Sequence, residues 1–192
     1  MRTASRRLLL LSTMLLSCSR EMSKEQLAAC DVLVQGTSIQ YKGHPLPMPG
    51  ALSDWERLLG THSRKIEVSS DAYAWDDLGI FAGTRSGTST LEMFAVVLRQ
   101  MGGDGSGRES PAYWPRSTFK GRLCVDGSEI SATSSIAQVN RYKKGESFRE
   151  GPFEHDYDYT LRDKSVKVFV SLSFSPAWTP EIFEMDFSEY KP

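Results

Sequence analysis

The sequence predicts an α+β fold: two tandem strand–helix–β-hairpin repeats sharing antiparallel sheet(s) with short helices. Three observations predict it. Short β-prone runs alternate apolar and polar residues, most cleanly at Val166, Val168, Val170, Leu172 and Phe174. Two helix-start signatures, Ser53-Asp-Trp-Glu56 and Ser135-Ile-Ala-Gln138, have the form of a capping box. The pattern of residues 39 to 75 also recurs 84 positions later: Ile39 falls on Leu123, Gly43 on Gly127, Leu46 on Ile130, Leu52 on Ile136, Trp55 on Val139, Leu58 on Tyr142, Tyr73 on Tyr157 and Trp75 on Tyr159. A lone unit of this size buries little, and two sharing a core bury more.

The chain starts with a basic segment, Arg2, Arg6 and Arg7, followed by an apolar run from Leu8 to Leu16 broken only by Ser12 and Thr13. A basic start, a short apolar middle and a small residue before the cut read as a secretory signal peptide over residues 1–17. The run is too short to span a bilayer, which takes roughly 20 apolar residues. The ending Leu15-Leu16-Ser17-Cys18 resembles the lipobox of bacterial lipoproteins. That resemblance implies a lipidated Cys18 as the mature N-terminus and a membrane partner reached through the lipid; within residues 18–30 the polar, helix-permissive run from Ser19 to about Ala29 reads as a tether or a short helix. The expected location is the cell envelope, on the periplasmic side. Ser19 in place of Asp favours the outer membrane by the same resemblance.

The first repeat is read over residues 31–101. Val32 to Val34 and Ser38 to Lys42 are apolar and β-prone, and Gly43 to Gly50 is a Gly/Pro turn region. Ser53 is the expected N-cap of a helix with Trp55, Leu58 and Leu59 on one face and Gly60 at its end. Tyr73 to Ala82 then reads as a strand, Thr84 to Gly87 as a turn and Thr88 to Leu98 as the return strand. Residues 102–116 open with four glycines before Pro111, the strongest linker signal in the chain. The second repeat, residues 117–192, has its helix from Ser135, a terminating Gly145, a hairpin turn near Arg162 to Lys164, and a strand from Glu181 to Phe187. In that strand Phe183, Met185 and Phe187 point one way, and Glu184 and Asp186 the other.

Charge narrows the function classes. The full chain carries 23 basic and 24 acidic side chains; without Arg2, Arg6 and Arg7 the balance is 20 to 24, a net charge of −4. A mildly acidic domain lacks the footprint for phosphate backbones, so nucleic acid is excluded as a partner. With Cys18 committed to lipid, Cys30 and Cys124 remain, an even pair in an oxidising compartment. They form either a disulfide or two buried thiols, because spacing alone does not show that the Cα atoms approach.

Two stretches draw attention as sites. In Asp71-Ala-Tyr-Ala-Trp-Asp-Asp-Leu-Gly-Ile80, strand geometry places Tyr73, Trp75 and Asp77 on one face. Asp76 and Asp77 either ligate a cation or position a partner's basic group, or Tyr73 and Trp75 are core and the two aspartates end the strand before Gly79. In Glu154-His-Asp-Tyr-Asp-Tyr159, Glu154, Asp156 and Asp158 would line one strand face. Three carboxylates in a row suit a hard cation, but no glycine-bearing calcium loop accompanies them, and His44, His62 and His155 lack zinc-ligand spacing. No metal and no cofactor are therefore expected. No nucleophile elbow, zinc-protease motif, phosphate loop or complete dinucleotide glycine pattern is present, so the chain is expected not to be an enzyme.

Gly43, Leu46, Trp55, Leu59-Gly60 and the run Tyr73 to Ile80 resemble an uncharacterised family of bacterial domains, some of whose members look like immunity proteins or surface lipoproteins. The resemblance implies no catalytic residue. It points to a lipid-anchored, non-catalytic protein-interaction module, in a specific version an immunity protein that blocks a toxin. Trp75, Asp76, Asp77, Glu154, Asp156 and Asp158 are the expected partner-binding residues. The alternatives are a structural envelope-assembly lipoprotein and, behind it, a divalent-cation-binding or hydrolytic envelope protein.

Overall fold

Runs of alternating apolar residues separated by glycine turns fold here as strands, and strands dominate the molecule. The computed structural model describes residues 22–67, 70–85, 87–102, 107–163 and 166–189. The signal segment and Cys18 lie outside the described residues. In chain order the elements are α1 (Lys24–Ala28), β1 (Val32–Gln35), β2 (Ser38–Tyr41), β3 (His44–Leu46), β4 (Gly50–Ala51), α2 (Leu52–Leu59), β5 (Arg64–Glu67), β6 (Asp71–Trp75), β7 (Ile80–Thr84) and β8 (Thr90–Val97). There follow β9 (Leu123–Val125), β10 (Ser128–Ile130), α3 (Ile136–Tyr142), β11 (Arg149–Glu150), β12 (Asp156–Asp163), β13 (Val166–Phe174) and β14 (Pro180–Glu189).

The expected α+β class is overturned. Among the described residues the strands form one five-stranded and one nine-stranded sheet, and the helices have five, eight and seven residues. Helices this short cannot form a layer of their own. They pack against strands, α2 on β3 and β4 and α3 on β10, while the layers are sheets. The tandem-repeat reading fails for the same reason: both halves of the chain contribute to both sheets, so neither is a separate unit. The small sheet runs β10-β9-β1-β2-β3, with β1 and β9 parallel. The large one runs β11-β12-β13-β14-β8-β7-β6-β5, and β4 pairs with β8. The resemblance at 84 residues has a local cause in the hairpins β2–β3 and β9–β10. Each turns on two residues with positive φ, Lys42-Gly43 and Asp126-Gly127, the geometry that two-residue hairpins favour.

Inward side chains of both sheets form one core with the short helices, including Val34, Ile39, Leu123, Phe94, Val170, Met185, Phe183, Trp55 and Val139. Trp55 is fully buried, and its indole Nε1–H donates to the Pro47 carbonyl at 3.0 Å. That bond fixes the helix face to the Pro-rich turn before it. Cys30 and Cys124 form a disulfide, with Cα atoms 6.0 Å apart. It locks the start of β1 to β9.

Two local expectations are corrected. Ser53 does not cap α2: pairing of β4 with β8 places Ala51 at the N-cap, with no side-chain cap. Glu56 accepts instead from the backbone of His62 and faces its Nδ1 at 2.8 Å. The capping box of α3 does form, with Ser135 and Gln138 reciprocally bonded. The expected strand from Tyr73 to Ala82 is a hairpin, β6–β7, whose turn is Asp76 to Gly79.

Candidate partner-binding surface

The first group of expected residues is divided by that turn. Trp75 is 2% exposed, packs on Trp55 with ring centroids 6.0 Å apart, and donates its indole N–H to the Gly60 carbonyl. Asp76 is also buried. Its two oxygens accept from Arg64 Nε and Nη2, both at 2.8 Å, and Oδ1 accepts the Arg116 backbone N–H at 2.9 Å. Arg64 donates further to the carbonyls of Ala112 and Trp114. The Arg64 guanidinium, more than any other neighbour, holds the Asp76 carboxyl below the ordinary carboxylate range. Trp75, at the end of β6, thus takes the core position, and Asp76, first in the turn, is corrected from partner-binding to an internal ion pair, since its oxygens are met by Arg64 and the Arg116 N–H. Asp77 alone of the three is exposed.

Asp76 anchors the chain that follows β8. Trp114, Tyr113 and Met101 lie over the outer face of the large sheet and cover Ala74, Phe81, Ala95, Val97 and Ile182. The approach is close. A Cβ at Gly79, whose φ is +69°, would meet the Phe119 backbone at 2.1 Å. The glycine-rich stretch thus leads into a cover for the apolar half of this face.

The other half of the same face is polar, and there the second group of expected residues lies. Antiparallel partners stand side by side on one face. One row runs Arg149, Asp158, Ser171, Glu184, Ala95; the next runs Asp156, Ser173, Ile182; a third runs Thr160, Phe169, Asp186, Met93; a fourth runs Arg162, Lys167, Ser188. Asp156, Asp158, Glu184 and Asp186 therefore share a face. Burial, and next the negative charges of Asp186 and Asp156, push the Glu184 carboxyl up to about 7. Asp186 is raised by burial and held back by Arg85, whose Nη2 is 3.7 Å from its Oδ1. Glu184 and Asp186 were not among the expected site residues. Their alternation against Phe183 and Phe187 shows their side of the strand, but only the pairing of β13 with β14 brings them beside β12.

Glu154 departs from the expected alignment, since β12 begins at Asp156 and Glu154 sits in the turn before it with its side chain 89% exposed. That turn builds a recess of about 260 Å3 with the β13–β14 loop. Backbone bonds fix its floor: Gly151 N–H donates to Asp156, Asp156 N–H to Phe153, and Phe174 N–H to His155. Across it, Trp178 tops a loop closed by Ser175 and Thr179, whose hydroxyls are 2.7 Å apart. His155 and Trp178 both hold positive φ, +68° and +58°. They meet edge to face with centroids 4.5 Å apart. Each such backbone costs on the order of 1–3 kcal/mol, and such strain clusters at functional sites. Phe153 and Trp178, 72% and 56% exposed, flank the recess. His155 Nδ1 is the one buried side-chain polar atom among the described residues that has no hydrogen-bond partner.

A second recess, of about 480 Å3 beside α1 and α3, is lined by Ser131, Thr133, Ser134 and Arg122, among others. Its hydroxyls bond one another, and Arg122 pairs with Glu129. Among the described residues no group of three His, Cys, Asp or Glu could hold a metal ion, and no helix is long and apolar enough to cross a membrane.

A family model described as a domain of unknown function, DUF7738, covers residues 31–140, which run from β1 into α3 and include Tyr73 to Ile80. No curated protein and no solved structure matches the chain.

Proposed function

The chain belongs to the DUF7738 family of domains of unknown function, and we propose that it is a non-catalytic protein-interaction module. In this reading it is tethered in the bacterial envelope through acylated Cys18 and binds a basic protein partner on the outer face of the large sheet. The observation that carries the proposal is the grouping of Asp156, Asp158, Glu184 and Asp186 on one face, beside the exposed rings of Phe153 and Trp178. Arg149 stands beside Asp158 and Arg85 beside Asp186, and a partner's cations would extend this pairing to the other carboxylates of the face. Exposed Trp beside charge is the usual composition of a binding hot spot. Blocking a toxin is the specific form of this role that the immunity-protein resemblance suggests.

The test has two arms. Replacing Cys18 by Ala should move the protein from the membrane to the soluble fraction and abolish labelling by a fatty acid. Separately, cross-linking in intact envelopes should capture a partner with the native chain. The triple variant Asp156→Asn/Glu184→Gln/Asp186→Asn should lose that partner, and so should the native chain in high salt. Equal capture by the native and triple-variant proteins would remove the proposed surface.

A further inference from the structure

We infer that the recess between Phe153 and Trp178 seats one cationic side chain, an arginine or a lysine presented by the protein partner. This deepens the reading of the acidic face as a partner-binding surface and rests on it. A volume of about 260 Å3 lies below the range of sites for whole small molecules and is ample for one side chain. Its lining includes three carboxylates, Glu150, Glu154 and Asp156, and no lysine or arginine. An anion entering it would be repelled, and an apolar side chain would strip water from the carboxylates without replacing it. A cation meets both requirements.

The walls fit the same ligand. Phe153 and Trp178 present exposed ring surface at the mouth, and a guanidinium or ammonium against an aromatic face is attracted by the ring quadrupole. His155 backs the wall behind them, its ring edge to face with Trp178 at 4.5 Å between centroids. The site is also pre-shaped, because both of its loops are closed by backbone hydrogen bonds. Little ordering cost then remains to be met on binding.

The probe is N-acetyl-arginine amide, titrated into the isotope-labelled folded chain while the indole N–H resonance of Trp178 is followed. N-acetyl-citrulline amide, nearly the same shape without the charge, is the control. A saturable shift with the arginine probe is expected, with affinity at least about tenfold weaker for citrulline and for Glu154→Gln/Asp156→Asn. Trp178→Ala should abolish binding while the remaining amide spectrum stays native. Equal binding of both probes, or undiminished binding by Trp178→Ala read at the Phe153 and His155 amides, overturns the inference. If the arginine probe does not bind while partner capture still depends on Asp156, Glu184 and Asp186, the cation seat is wrong and the wider surface stands. If both fail, the two fall together.

Discussion

Replacing Asp76 by Asn removes the charge opposite Arg64 and leaves a guanidinium, 25% exposed, without its counter-ion. Breaking a largely buried pair from one side is costly, so chemical denaturation at pH 7 should show a loss of about 2–3 kcal/mol. The pH dependence follows from the lowered carboxyl pKa. Stabilisation from a depressed acid is complete above its unfolded value of about 3.9 and is lost as pH falls through the folded value. The Asn variant should therefore show a flatter stability profile below about pH 4. Glu184 has the opposite sign. Its folded pKa of about 7 lies above its ordinary 4.5, so the folded state binds the extra proton and loses stability as pH rises through that window. Glu184→Gln should raise stability at pH 8 by on the order of 2 kcal/mol and have little effect at pH 4. A denaturation midpoint that moves equally at both pH values would contradict this.

At the scale of elements, the parallel pairing of β1 with β9 joins segments far apart in sequence over only three residue pairs. Closing so long a loop is entropically costly. The disulfide between Cys30 and Cys124 spans 94 positions and removes that cost by constraining the unfolded chain. Loops of this length correspond to about 4.7 kcal/mol in the chain-entropy account. Cys30→Ser/Cys124→Ser should lower the urea midpoint accordingly, and reductant should shift the native protein but not the variant. Legibility in the sequence was uneven among the elements. The capping box of α3, the Gly60 terminus of α2 and the alternation of β13 were local and readable. The start of α2 was not, because β4 pairing with β8 overrode the Ser53 signal.

Across the whole molecule, one buried cluster ties both sheets to a helix. Asp126, in the β9–β10 turn, accepts from the Gly36 backbone N–H at 2.7 Å and from Lys143 Nζ at 2.8 Å. Tyr159, on the large sheet, donates its hydroxyl to the same carboxylate, and Lys143 Nζ sits 4.0 Å from the Tyr159 ring centroid. The Lys143 side chain is 1% exposed. Lys143→Met would strand Asp126 and should cost about 3 kcal/mol. Lys143→Met/Asp126→Asn, which removes both charges, should recover at least half of that in the same thermal or denaturant measurement. A double variant no more stable than the single one would show that the cluster acts through shape and not charge.

By itself the sequence determined what is local: glycine turns, the Ser135 cap of α3, the period-two faces of the strands, the acidic balance and the even pair of cysteines. The placement of Phe183, Met185 and Phe187 opposite Glu184 and Asp186 was readable because it depends only on alternation along one strand. Tertiary structure alone decided that Asp76 turns inward to Arg64, that β12 lies beside β13 and β14, and that Phe153 meets Trp178 across a recess. These depend on pairings between distant segments, whose register is selected by burial over the whole core and is not encoded in any one window of the chain.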